Sequence, residues 1–170
     1  VLPYFRKSED NDSFNDRYHG QGGPLGVSRP AAPLPICEAY FRAACELGIP
    51  FNPDMTGATQ DGVGYYQLTQ RGARRSSAAM AYLAPNRGRA NLTVRTETRA
   101  VRLRLSGGRA VGVDCVGPDG AVSLTADRIV VSAGAIASAQ LLMLSGIGPE
   151  HVLRAAGVTV AHDLPVGVDT

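Results

Sequence analysis

Residues 129–148 read IVVSAGAIASAQLLMLSGIG. Ile129-Val130-Val131 is a short continuous apolar run, the pattern of a strand buried on both faces. Ser132, Ala133, Gly134 and Ala135 follow it, and all four are small. Ala137 to Leu144 then has helical composition, and Ser145-Gly146 ends it. A buried strand that feeds a helix through a tight turn aims free backbone N–H groups outward, where they favour phosphate and other polar groups. Small residues at the turn let a ligand approach the main chain, although many such turns carry a glycine for steric reasons alone.

Upstream of this stretch the period is two. Leu92, Val94 and Thr96 alternate with polar residues, as do Val101, Leu103 and Leu105. Ser106-Gly107-Gly108-Arg109 turns the chain into a strand with Val111, Val113 and Cys115 on one face. Pro118-Asp119-Gly120 turns it again toward Val122 and Leu124. The expectation is an antiparallel meander of about three strands. Downstream, a helix runs from about Pro149 to Ala156 with Gly157 as its cap. The chain then extends through Val158, Val160 and Leu164.

The first part is different in character. Residues 1–34 are polar and rich in Gly, Pro, Asp and Asn, with a turn cluster at His19-Gly20-Gln21-Gly22-Gly23-Pro24-Leu25. They read as a surface excursion and not as core. Pro35 opens a helix through Leu47 with Ile36, Tyr40, Phe41, Ala44 and Leu47 at helical spacing; Gly48 caps it and Pro50 prevents continuation. Asn52 to Thr69 is a second loop, and Ser76 or Ser77 caps a helix over Ala78 to Leu83, ending at Pro85.

Composition narrows the classes. The 170 residues suit one ordinary domain, and 44% hydrophobic with 19% charged residues is globular usage. The net charge of +2 is close to balanced. Arg71, Arg74 and Arg75 form a short cluster without aromatic interleaving, so no nucleic-acid partner is expected. No apolar run is long enough for a membrane span. Cys37, Cys45 and Cys115 contain no C-x-x-C pair, which speaks against a disulfide framework or metal site. Cys37 and Cys45 are expected to face the core of their helix, and the compartment to be reducing and cytoplasmic.

Residues 134–148, GAIASAQLLMLSGIG, resemble the second signature of the glucose–methanol–choline oxidoreductases, with Ala139 where Pro or Ser is usual. Other stretches resemble that family in its order. They are Tyr4-Phe5-Arg6-Lys7-Ser8-Glu9, His19-Gly20 with Gly23-Pro24-Leu25, Arg75-Ser76-Ser77-Ala78-Ala79-Met80-Ala81-Tyr82-Leu83, and Asn91-Leu92-Thr93-Val94. Gly107-Gly108-Arg109-Ala110-Val111-Gly112-Val113 and Asp163-Leu164-Pro165-Val166-Gly167 complete the series.

The resemblance implies an α/β fold, α+β within these residues, that is part of an FAD-binding domain of glutathione-reductase type. Residues 1–89 would be a loop- and helix-rich substrate-side segment, 90–148 part of the FAD domain, and 149–170 a connecting helix and extended segment. It also implies FAD as cofactor, a small-molecule alcohol as substrate, and oxygen or a quinone as electron acceptor. The main chain at Ala100 would lie against the adenine, and Ser132, Ala133 and Gly134 near the adenosine portion. Ser138 would serve either the helix start or the cofactor. No aromatic cage for a quaternary ammonium is identifiable.

No G-x-G-x-x-G occurs in the sequence; Gly62-Val63-Gly64-Tyr65-Tyr66-Gln67 comes nearest and follows a loop. The family's catalytic histidine and its N-L-x-D-H segment would fall beyond Thr170. His19, His151 and His162 therefore read as solvated or hydrogen-bonding histidines. Asp54, Asp61 and Gln67 read as loop polarity that can border a substrate, and Arg74 and Arg75 as solvated charge. The expectation is a fragment of an alcohol oxidoreductase, inactive and poorly stable alone. The alternatives are a non-catalytic binding module and a degenerate remnant of such a gene.

Overall fold

The computed structural model describes residues 1–72 and 74–167. Ala73 and the last three residues of the expected 149–170 segment lie outside the described residues. Contacts divide the chain into two compact units, Val1–Thr93 and Val94–Thr170. Helices and small sheets are mixed in both.

The first unit opens with α1 (Leu2–Ser8), which leads directly into β1 (Glu9–Asn11). β1 pairs in parallel with β2 (Leu25–Val27), so the 13 residues between them cross over through a polar turn cluster. Here the structure corrects the expected surface excursion: Asn11, His19 and Ser28 are buried. A core can be polar where its groups satisfy one another, and among the described residues no buried side-chain polar atom lacks a partner. Gly20 is required in this turn, because a Cβ there would lie 1.9 Å from the Arg6 carbonyl oxygen.

α2 (Pro35–Glu46) forms as its spacing predicts, with Gly48 at φ +86° just past its end. Its buried face is narrower than expected. Phe41 and Ala44 pack with Val63, Cys37 and Tyr65, while Ile36, Tyr40 and Leu47 are exposed. Cys45 also points outward, against expectation. A short hairpin of β3 (Gln70–Arg71) and β4 (Arg74–Arg75) follows. Arg71 reaches back to Asp10 at 2.7 Å, which ties the hairpin to β1. The Gly22 amide and then Arg71 hold the Asp10 carboxyl below its ordinary pKa against the opposing pull of burial. The expected helix after Ser77 is a single π-helical turn, Ala79–Leu83, and a 3₁₀ turn, Ala84–Asn86, that carries the chain past Pro85.

The second unit is built on an antiparallel meander of β5 (Arg99–Ser106), β6 (Arg109–Gly117) and β7 (Gly120–Thr125), in the order β5-β6-β7. Gly107 and Gly108 both have positive φ, +56° and +77°, the requirement of the two-residue turn whose twist matches a hairpin. Leu103 and Cys115 fill the buried face. Leu92 and Val94, expected to start a strand, are unpaired and exposed. Alternation alone supplied no partner strand there.

α3 (Ala135–Leu144) packs on β5. β8 (Ile147–Gly148) and β9 (His162–Asp163) pair in parallel around α4 (Glu150–Ala155), whose Leu153 is fully enclosed. Ile129-Val130-Val131 is the main departure. The run carries no regular secondary structure and pairs with no strand among the described residues, and Val130 is 86% exposed. A strand buried on both faces needs parallel neighbours on each side, and none of the described strands pairs with it.

The cysteines offer a direct check on this packing. Cys45 is expected to react with an aromatic disulfide reagent at once, and Cys115, shut inside the sheet, only on unfolding. Equal rates for the two would contradict the buried face assigned to β6.

Candidate functional site

Two places gather the residues that the sequence singles out. The first is the turn between residues 129–131 and α3. Gly134 sits at φ +91° and ψ 170°, a conformation costly for any residue with a Cβ. A Cβ built there would meet nothing within 4 Å, so the backbone is open on that side. The Ser138 hydroxyl turns back and accepts the Ala133 N–H at 3.0 Å, and the Ser138 N–H donates to the Gly134 carbonyl at 3.0 Å. Ser138 thus fastens the helix start, and in this arrangement the Ala133 amide is already taken.

Ala100, Ser132 and Ala133 come together on the rim of one cleft of about 430 Å³, floored by Leu103, Cys115 and Leu124. A second, smaller cavity of about 190 Å³ also touches Ala100 and Ala133. The β5–β6 register slips between Ala100 and Arg102. Such bulges re-aim backbone groups next to sites. Ala100, Ser132 and Ala133 therefore share an apolar cleft, while Gly134 and Ser138 are not among its lining residues. No charged residue of the cleft other than Arg95 competes with it.

The second place is the buried polar cluster of the first unit. His19 is 2% exposed. Its Nδ1 lies 3.3 Å from Glu9 Oε1 and its Nε2 3.0 Å from Asp54 Oδ2. Asn11 is the hub. Its Nδ2 donates to Glu9 Oε1 at 2.8 Å and to Gln67 Oε1 at 2.9 Å. Its Oδ1 accepts from Gln67 Nε2 at 3.0 Å and from the Ser13 and Phe14 amides. Asp54 and Gln67 thus join His19 as members of one network, whereas Asp61 contributes only its carbonyl, to Asn52. Asp16, His19 and Asp54 bring ligand-type atoms within 4.8 Å of one another. Asp16 is committed to the Tyr18 and His19 amides and Asp54 to the ring, so the group reads as a closed hydrogen-bond cluster.

Sequence reasoning missed Glu9 and Asn11. A signal was present: one quoted motif ends on Glu9 and the next begins on His19, and these two ends meet in space. His151 is exposed on α4, and His162 on β9.

Residues 1–168 match the family described as GMC oxidoreductase. The chain belongs to this family. Human mitochondrial choline dehydrogenase is 41% identical over 165 residues, which are 96% of this chain and 28% of that protein. The oxygen-dependent choline dehydrogenase of Pseudomonas aeruginosa (strain LESB58) is 41% identical over 170 residues, 96% of this chain and 30% of that protein. The crystal structure of pyridoxine 4-oxidase from Mesorbium loti superposes with a TM-score of 0.89 at 41% identity, covering 96% of this chain and 33% of that one. The chain therefore spans less than a third of the length of these curated GMC relatives. Membership of the GMC oxidoreductases carries the FAD-binding-domain fold and implies FAD as the cofactor. No helix among the described residues is long and apolar enough to cross a membrane.

Proposed function

We propose that this chain is part of an FAD-dependent oxidoreductase that oxidises the CH–OH group of a small-molecule alcohol, with oxygen or a quinone as electron acceptor. The observation that carries the reading is the cleft shared by Ala100, Ser132 and Ala133 beside the open backbone of Gly134. In this reading the Ala100 main chain and the Ser132–Gly134 turn hold the adenosine portion, and Ser138 keeps the turn in shape. Bound FAD supplies a two-electron acceptor for hydride from the carbinol carbon. These residues contribute binding and orientation; the proton-accepting histidine that the family uses lies outside them. By this division residues 1–89 are substrate-side and 90–148 cofactor-side. The three unpaired cysteines support a reducing compartment such as the cytoplasm.

The test is anaerobic addition of primary alcohols to the intact flavoprotein. Bleaching of the visible flavin band by an alcohol is expected, and a protein that carries no flavin would overturn the reading. A variant separates binding from chemistry. Ala133→Glu puts a carboxylate into the apolar cleft, and flavin occupancy is expected to fall by about tenfold or more. Full occupancy in that variant would move the adenosine site elsewhere. The 170 residues alone are expected to retain no flavin. A stoichiometric yellow complex of that piece would instead support a self-sufficient binding module.

A further inference from the structure

The buried cluster around His19 contains two alternative hydrogen-bond arrangements for one set of atoms. Nδ1 has Glu9 Oε1 at 3.3 Å, and the same nitrogen has Asn11 Nδ2 at 3.3 Å. An amide NH₂ only donates, so it can serve Nδ1 only when that nitrogen carries no proton. In the imidazolium, Nδ1–H donates to Glu9 and Nε2–H to Asp54. In the neutral ring protonated at Nε2, Asp54 is kept at 3.0 Å while Nδ1 accepts from Asn11. Glu9 then holds only to the Gly20 amide, 2.8 Å from Oε2, because the two Asn11 N–H groups go to Gln67 and to Nδ1.

The other groups around the residue favour this exchange over a rearrangement of the ring. Arg6 Nε donates to the His19 carbonyl at 3.1 Å, and Asp16 Oδ1 accepts the His19 N–H at 3.0 Å, so its backbone is fixed from both sides. The Phe14 ring stacks on the imidazole with centroids 5.2 Å apart, and the Arg29 guanidinium lies over the far ring. Two carboxylates face the ring edge itself, one from β1 and one from the loop after α2. Glu9 and His19 also border a chamber of about 510 Å³ whose other walls include Leu2, Phe5, Leu25 and Val27.

We propose that His19 is a proton-operated latch between β1 and the Asp54 loop. A proton clamps Glu9 and Asp54 across the ring. Its loss passes Nδ1 from Glu9 to Asn11 and leaves the Glu9 carboxylate unneutralised at the chamber wall. Burial pulls the ring toward neutrality, but the hydrogen bonds and charges of Asp54 and Glu9 outweigh it and raise the pKa above its ordinary value. The clamp's contribution to stability is therefore complete below the unfolded-state value of about 6.5 and is lost as pH rises through the higher folded-state value. The latch does not depend on which alcohol, if any, the protein oxidises.

The experiment is a pH titration of the intact protein with ring-labelled histidine, followed by NMR, with His19→Gln to assign the signal. The expected midpoint lies above about 6.5, and Glu9→Gln and Asp54→Asn each lower it. Across that same midpoint, exchange of the Gly20 amide, corrected for its intrinsic rate, rises by about tenfold. In His19→Gln, which keeps a donor and an acceptor, Gly20 exchange no longer depends on pH. Should one carboxylate variant fail to fold, the other makes the same comparison. A His19 midpoint at or below the ordinary value, or Gly20 protection that ignores it, overturns the latch.

Discussion

Asn11→Ala lowers the stability of the first unit by roughly 4 kcal/mol. Asn11 is 1% exposed and its amide serves partners on three segments. The truncation strips Gln67 of both its bonds to the hub, at 2.9 and 3.0 Å, and Glu9 of one at 2.8 Å. The Ser13 and Phe14 amides lose their acceptor too, but Ser13 is exposed and its amide recovers water. The half-buried Gln67 and Glu9 groups recover less fully, and each stranded group costs about 1–3 kcal/mol. Native-state hydrogen exchange at Gly20 and Asn11 in the intact protein reads the loss locally. A loss below about 1 kcal/mol would mean that water substitutes for the side chain. Asn11→Asp separates shape from charge. It keeps the acceptors, removes the donor that serves Glu9, and adds a third carboxylate beside the ring, so the midpoint of His19 moves higher still.

Ser145→Ala costs the second unit roughly 2–3 kcal/mol. Its hydroxyl is 3% exposed, donates to the Leu141 carbonyl at 2.6 Å and accepts the Leu103 amide at 2.8 Å. β5 is an edge strand, and Leu103 is its most buried position. Without the hydroxyl, that amide faces the Leu141 side of α3 with no acceptor. The chain just past Ser145 is closely packed as well, since a Cβ at Gly146 would lie 2.5 Å from the Thr159 carbonyl oxygen. The same exchange measurement at Leu103 reads the effect. Ser145→Thr, which keeps the hydroxyl and adds a methyl, tells the bond from the packing. Full protection of Leu103 in Ser145→Ala would show that the strand edge finds another acceptor.

The parts of the fold that were legible in the sequence are those with short-range causes. Gly107-Gly108 specifies its hairpin because both positions need positive φ, and the three meander strands follow from their alternation. Gly48 and Gly157 mark helix ends for the same reason. The ordered motifs pointed to the family, and residues 1–168 match it. What the sequence hid depends on partners far along the chain. The β1–β2 pair is parallel and lies within a segment whose polarity read as surface. The His19 cluster draws together Glu9, Asn11, Asp54 and Gln67, with Asn11 and Gln67 bonded across 56 residues, and no periodicity marks such a meeting. Leu92, Val94 and Ile129–Val131 show the converse. Apolar alternation or continuity states a preference for burial, and whether a partner strand answers it is decided elsewhere.

The two-residue turn at Gly107-Gly108 also sets an order of events. β5, β6 and β7 meet through connections of only a few residues, so their closure costs little chain entropy and hairpins of this kind form within about 1–10 μs. The Asn11–Gln67 contact closes a loop of 56 residues and gains nothing until both ends arrive. A chain emerging from the ribosome at about 5–20 residues per second would thus hold its early segment open until Gln67 has followed, whereas the later sheet closes almost as soon as it appears. During that interval Leu25 and Val27, half-buried in the folded unit, stand unguarded, and they are where a chaperone would be expected to take hold.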